Sequence, residues 1–184
     1  MSPFQLRRAV AALRGGGIVA YPTEAVFGLG CDPLQPDAVA RLLALKGRGA
    51  RKGFILIATE FAQVAPFVNL PDQERVKKIL ATWPGPHTWV FEAAPDVPSW
   101  LTGGRETIAV RVTAHPTASA LCRSFGGPLI STSANRTGLR PARSPLAVRC
   151  QLPAGVDLVL HAPLGGLDRP TSIRDARTGA TLRP

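Results

Sequence analysis

Residues Ile18 to Ala58 read IVAYPTEAVFGLGCDPLQPDAVARLLALKGRGARKGFILIA, and the fold turns on how this stretch is parsed. The apolar run Ile18 to Tyr21 has the length and composition of a short buried strand, and Pro22 stops it. Thr23 and Glu24 follow in a turn, and the glycine-spaced Phe27-Gly28-Leu29-Gly30 reads as a continuation of that turn with a loosened backbone. Ala38, Val39, Leu42, Leu43 and Leu45 then fall on one face of a helix. That helix runs straight into Lys46-Gly47-Arg48-Gly49-Ala50-Arg51-Lys52, four cations in seven residues. A second strand, Phe54 to Ala58, returns the chain to the core.

Two readings of the cation cluster are open. Lysine and arginine just past a helix end offset the partial negative charge there, and a solvated charge run needs nothing further. Alternatively, Gly47, Gly49 and Gly53 remove side chains between the cations, so that backbone and long arms can close together on a polyanion such as a triphosphate. No other phosphate loop is present: GxxxxGK[ST] is absent, and the Gly28/Gly30 pair does not complete GxGxxG.

The 184 residues are long enough for one domain with a substantial core and short for two. A hydrophobic content of 45% with 18% charged residues is that of a globular chain. No apolar run approaches a membrane span, and MSPFQLRRAVAALR lacks a signal peptide's apolar centre, so a cytoplasmic protein is expected. Cys31, Cys122 and Cys150 are widely spaced with no CxxC pair, which argues against zinc and against a disulfide framework and predicts buried free thiols. Twenty-two Lys and Arg against twelve Asp and Glu give a net charge of +10. Such a surface attracts polyanions without distinguishing ATP from tRNA.

The remaining chain alternates helices and strands. Ser2-Pro3-Phe4-Gln5 has the form of a capping box opening a helix that Gly15-Gly16-Gly17 ends. Helices are expected near 60–68, 72–82, 116–125 and 146–151. Strands are expected at 87–93, 107–112, 128–130, 156–162, 172–175 and 181–183, with a Pro- and Gly-rich loop over 94–106. Alternation along Thr107-Ile108-Ala109-Val110-Arg111-Val112 places Thr107, Ala109 and Arg111 on one face, and an arginine on a covered face of small residues needs an anion. The strand at 128–130 delivers Ser131-Thr132-Ser133-Ala134-Asn135 at its C-terminal end, where ligands of α/β sheets collect. These side chains could equally cap the next segment. A polar, mobile loop over the site is expected from Thr137 to Pro145. GxSxG is absent, which removes a serine hydrolase.

Taken together, Tyr21-Pro22-Thr23-Glu24 through Gly28-Leu29-Gly30-Cys31-Asp32, Lys46-x-Arg48, Lys52-Gly53, Trp83-Pro84-Gly85-Pro86-x-Thr88, Ala109-Val110-Arg111-Val112, Ser131-Thr132-Ser133-Ala134-Asn135 and Ser172-Ile173-Arg174-Asp175 resemble the YrdC/TsaC family of threonylcarbamoyl-AMP synthases. The likeness is to the short bacterial TsaC branch without the extra C-terminal domain, and it covers nearly the whole chain. It implies an α/β, single-domain YrdC-like fold: a twisted, mixed parallel and antiparallel sheet with packed helices and a basic concave surface.

The implied reaction joins L-threonine, bicarbonate or CO2, and ATP into threonylcarbamoyl-AMP with release of pyrophosphate. Mg2+ would neutralise the phosphates. The product would pass to a tRNA threonylcarbamoyltransferase complex for the threonylcarbamoyladenosine modification of tRNA next to the anticodon.

By the same resemblance, Lys46, Arg48 and Lys52 lie on the phosphates, and Thr107, Ser133, Asn135 and Arg183 help to hold ATP. Thr23, Arg111, Ser131 and Ser172 line the threonine pocket. No protein metal ligand is implied. No residue announces itself as a general base; Glu24 is the nearest guess. Gly49 stands where the family's KxR motif usually continues with proline, and Ile57 where the longer branch has a histidine. Two other classes of function remain distinct expectations. A tRNA or double-stranded RNA binding module would show salt-sensitive affinity without turnover. A YrdC-like domain of hydrogenase maturation proteins would depend on carbamoyl phosphate.

Overall fold

In this computed structural model, which describes residues 1–47 and 49–184, the two apolar runs of the opening stretch become strands of one long sheet with two other strands between them. The strands are β1 (Val19–Pro22), β2 (Phe27–Gly30), β3 (Ile55–Ala58), β4 (Val68–Asn69), β5 (His87–Ala93), β6 (Thr107–Val112), β7 (Leu129–Ser133), β8 (Leu158–Val159), β9 (Ser172–Asp175) and β10 (Thr181–Arg183). Their order is β10-β9-β5-β6-β3-β7-β2-β1-β8, with β4 added beside β5. β3 with β6, β5 with β9, and β1 with β8 pair in parallel. The pairs β1/β2, β2/β7, β3/β7 and β5/β6 are antiparallel, so the expected mixed sheet is present.

The helices are α1 (Pro3–Arg14), α2 (Pro36–Lys46), α3 (Gln73–Leu80), α4 (Ser99–Thr102), α5 (Pro116–Phe125) and α6 (Pro145–Gln151). α1 begins as its sequence predicts: the Ser2 hydroxyl accepts from the Gln5 amide and the Gln5 side chain returns to Ser2. α2 ends at Gly47, whose φ of 57° is the left-handed conformation that glycine adopts at least cost. α5 is capped by an imidazole, with His115 Nδ1 accepting from the Thr117 amide.

Helices cover the two sheet faces unequally. One face carries Leu29, Leu56, Phe91, Val110 and Ile130, closed by Ala38, Val39 and Leu42 of α2. On the other, α1 and α5 pack Val10, Leu13 and Leu121 against Tyr21, Ile57 and Leu129. Each such leucine, fully withdrawn from water, contributes about 1.5–3 kcal/mol. The exposed pairs Arg41–Asp157, Arg75–Asp72 and Lys78–Glu74 contribute about 0–1 kcal/mol each. Apolar layering therefore decides the architecture. α1 and α5 leave part of their face uncovered, and that part is the floor of a cleft.

Four expectations need correction. Phe27-Gly28-Leu29-Gly30 is a central strand rather than a turn, because its glycines serve close approach and not reversal. A Cβ on Gly30 would sit 2.7 Å from the Ile130 carbonyl oxygen and 2.8 Å from the Tyr21 ring, and one on Gly28 would sit 3.3 Å from both Thr23 and Tyr21. The helix expected over 60–68 is two 3-10 turns, Phe61–Gln63 and Ala65–Phe67, since Pro66 lacks the amide a continuous helix needs. The strand at 156–162 forms ladder pairs only at Leu158–Val159. The loop over 94–106 contains the single-turn helix α4.

The close approach at Gly30 yields a prediction. Gly30→Ala forces a methyl against a backbone carbonyl that cannot move aside, costing about 2 kcal/mol. Gly49→Ala, with nothing within 4 Å, is the matched control and stays near neutral. Urea midpoints by far-ultraviolet circular dichroism separate the two; equal midpoints would mean that crowding does not select glycine at position 30.

Candidate functional site

The uncovered sheet face is an open cleft of about 610 Å³. Its floor comes from alternate residues of adjacent strands, Val90 of β5, Ala109 of β6, Ile55 of β3, Ser131 of β7 and Gly28 of β2. Register explains their assembly: Ala109 pairs with Val90 and Ile55, and Ile55 with Ser131. Lys52, Arg105, Arg111 and Arg183 line the cleft, and among the described residues no acidic side chain does.

At the inner end, Arg111 is buried with 5% exposure. Its Nη1 donates to Thr171 Oγ1 at 2.6 Å, and its Nη2 lies 3.6 Å from Glu24 Oε2, an ion pair without a hydrogen bond. Arg111 Nε and Glu24 Oε2 are buried with no hydrogen-bond partner. A desolvated guanidinium edge lacking its bond is costly, and where Arg111 lines the cleft its charge would favour a carboxylate.

Glu24 Oε1 accepts from Thr113 Oγ1 at 2.6 Å. Burial alone would raise the Glu24 carboxyl, but the Arg111 guanidinium and the Thr113 hydroxyl outweigh it and hold it below its ordinary value. Such a carboxylate is a weaker base than a free one. His115, whose Nε2 is 3.1 Å from the Pro163 carbonyl, is pushed down chiefly by burial. Nδ1 accepts from an amide, so Nε2–H is the donor and the ring is neutral.

The cleft gathers Thr23, Lys52, Thr107, Arg111, Ser131, Ser133 and Arg183 from the residues expected on sequence grounds. Thr23 Oγ1 donates to the Val26 carbonyl at 2.7 Å, closing the turn that presents it. Arg183 Nη2 donates to the Thr171 carbonyl at 2.7 Å, which anchors the C-terminal strand over the cleft. Burial first and then the Arg111 charge push the Arg183 guanidinium below its ordinary value; an anion between the two arginines would relieve that repulsion.

Three expected residues lie elsewhere. Lys46 is buried, and its Nζ donates to the carbonyls of Ser133 and Asn135, bracing the end of β7 from α2. Asn135 Nδ2 donates to the carbonyls of Arg136 and Leu139, fastening the loop that begins there. That loop, expected to be mobile, is also tied by the amide bonds Ala142 to Ala134 and Phe27 to Ala142, and Pro141 reaches the cleft. Ser172 Oγ is 3.2 Å from His87 Nδ1, while its neighbour Thr171 faces Arg111. The Arg48 assignment falls outside the described residues. Sequence reasoning overlooked Thr171 and Arg105. The alternation along β6, read two residues further back, would have found Arg105; nothing local in the sequence marks Thr171.

Comparison with known proteins decides the lineage. Residues 11–184 match the Sua5/YciO/YrdC family profile, described as "Telomere recombination". The chain belongs to this family. A threonylcarbamoyl-AMP synthase of Halorhodospira halophila is 58% identical over 98% of this chain and 95% of its own length. Another, from Coxiella burnetii, is 53% identical over 95% of this chain and 94% of its own. A crystal structure of P. abyssi Sua5 complexed with L-threonine superposes with a TM-score of 0.89 at 30% identity, covering 95% of this chain and 52% of that one. This chain thus spans about half of the P. abyssi protein. Among the described residues, no helix is long and apolar enough to cross a membrane.

The buried pair at Arg111 predicts a pH signature. Because the folded-state pKa of Glu24 is depressed below its ordinary 4.5, its stabilisation is present above that value and is lost as pH falls through the folded pKa. Glu24→Gln leaves the buried guanidinium uncompensated and costs about 3 kcal/mol at neutral pH. The gap between wild type and variant narrows in acid below pH 4.5, as Glu24 itself becomes neutral. Denaturant titrations at stepped pH check this, and a gap independent of pH would show that the charge is immaterial.

Proposed function

We propose that this chain is an L-threonylcarbamoyladenylate synthase, which forms threonylcarbamoyl-AMP and pyrophosphate from L-threonine, bicarbonate or CO2, and ATP. The observation that carries the reading is a cationic cleft whose deepest guanidinium keeps an unsatisfied edge, in a chain 58% identical to a named threonylcarbamoyl-AMP synthase.

In this reading the threonine carboxylate lies against the Arg111 guanidinium, and Thr23 and Ser131 face the side-chain hydroxyl. The amine adds to CO2 with loss of a proton to solvent and becomes a carbamate. A carbamate oxygen then attacks the α-phosphorus, the bond to the bridging oxygen breaks, and pyrophosphate departs. Because the atoms already carry the required charges, this step needs alignment and positive potential more than proton transfer. Lys52, Thr107, Ser133 and Arg183 supply both along the cleft. Lys46 and Asn135 act one step back, by holding the end of β7 in place. Ser172 acts through the segment that carries Thr171.

Magnesium has no fitting protein site: no carboxylate faces the cleft among the described residues, and they contain no cluster of three His, Cys, Asp or Glu suited to a metal. Mg2+ therefore belongs to the substrate, bound to the triphosphate. The product is a mixed anhydride that hydrolyses readily, so hand-off to a tRNA threonylcarbamoyltransferase complex in the cytoplasm completes this proposal. The +10 charge accommodates tRNA at that stage.

The direct test incubates the protein with ATP, bicarbonate and threonine and looks for the AMP-linked product and pyrophosphate by mass spectrometry. Salt-sensitive RNA binding without turnover would overturn the reading. Within it, a hydroxyl-lined pocket predicts the order threonine, then serine, then valine. Valine leaves buried polar groups unpaired, at about 1–3 kcal/mol, whereas serine loses one methyl, about 1 kcal/mol. Pyrophosphate release at matched concentrations ranks them; valine equal to serine would refute the pocket. Arg111→Lys should weaken threonine binding more than ATP binding, because an ammonium cannot make the two-pronged contact. Separate titrations of each ligand decide that.

A further inference from the structure

Four residues of one chain segment, Arg105, Thr107, Ala109 and Arg111, line the cleft in strict alternation. β6 begins at Thr107, so Arg105 sits in the bend that leads into the strand and Arg111 near the strand's far end, one arginine at each end of the wall. Arg111 is the buried inner end, beside Glu24 and Thr171, while Arg105 is exposed at the outer rim with Lys52.

The outer rim is a built structure rather than a pair of loose side chains. Gly53 and Gly103 both adopt positive φ, 57° and 69°, and press against each other: a Cβ on Gly103 would lie 2.5 Å from the Gly53 nitrogen and 2.6 Å from the Arg51 carbonyl oxygen. The Phe54 amide donates to the Leu101 carbonyl at 2.8 Å, tying the same two turns together. Arg105 Nη2 donates to the Arg51 carbonyl at 2.9 Å. This fixes the guanidinium beside the turn that carries Lys52 and commits only one of its N–H donors.

Resting on the synthase reading, we propose that Arg105 is a polyphosphate-binding residue which, with Lys52, receives the departing pyrophosphate. The geometry of displacement requires it. Attacking and leaving oxygens lie on opposite sides of the α-phosphorus. With the amino acid held at Arg111, the carbamate attacks from the inner end and the bridging oxygen leaves toward the outer end. Charge accumulates there on the β- and γ-phosphates as the bond breaks. A guanidinium held by its neighbour's carbonyl meets that charge without reorganising.

The test compares wild type with Arg105→Gln and Arg105→Lys. Calorimetric titration with inorganic pyrophosphate, in the absence of threonine, should show about tenfold weaker binding for Arg105→Gln, the loss of one charge-assisted contact, and partial recovery in Arg105→Lys. KM for ATP should rise by a similar factor, with threonine affinity and melting temperature unchanged. Pyrophosphate binding equal to wild type in Arg105→Gln overturns the proposal. So does a parallel loss of pyrophosphate binding, threonine binding and thermal stability, which would make Arg105 a structural residue. If wild type itself bound neither ATP nor pyrophosphate, the synthase reading would fall first, so the two failures are distinguishable.

Discussion

A guanidinium and a carboxylate withdrawn from water together, Arg111 and Glu24, hold the inner end of the cleft. Each would be prohibitively costly alone, and each is placed by a different part of the chain: Glu24 by the turn after β1, Arg111 by β6. Neighbouring bonds draw in further segments. Thr113 reaches Glu24, the Gly165 and Leu167 amides donate to the Thr23 and Glu24 carbonyls, and Thr171 accepts from Arg111. Three stretches far apart in sequence, 23–24, 111–113 and 165–171, therefore converge on one charge pair. The catalytic face exists because these stretches cannot separate without stranding a buried charge.

Around this anchor the sheet behaves as a platform with one face fully clad and the other partly bare. The difference lies in which helices the sequence supplies. α1 and α5 pack on each other as well as on the sheet, so they shelter the region near Tyr21, Ile57 and Leu129 and stop short of Ile55 and Ser131. The boundary between core and site crosses individual strands: in β3, Ile57 is buried under helices while Ile55 also borders solvent in the cleft. Rigidity is thereby inherited from the core, since each binding residue is one pleat away from a packed one.

Much of this arrangement was legible in sequence where a period was long enough to be heard. β6 spans six residues, and its alternation placed Thr107, Ala109 and Arg111 together correctly. The capping box of α1 and its glycine end were equally plain. Legibility failed where a residue's reason was non-local. Gly28 and Gly30 resemble turn glycines until the Tyr21 ring and the β7 backbone are seen against them. Lys46 looks like part of a solvated charge run, yet it is drawn inward by carbonyls about ninety residues later in the chain, an interaction that no local pattern announces. Thr171 is a single polar residue in a loop, and only the tertiary fold gives it a partner.

The cysteines carry a practical consequence. All three were expected to be buried, but Cys31 and Cys122 are enclosed while Cys150 is exposed on α6. Burial pushes the two inner thiols up to about 12, where the thiolate that reacts with electrophiles is nearly absent at neutral pH. A maleimide fluorophore should therefore select Cys150 without any engineered substitution. Gln151, the next residue, bonds to the Arg140 carbonyl in the loop whose Pro141 borders the cleft. The native chain thus offers one addressable position from which light emission can follow that loop as ligands come and go.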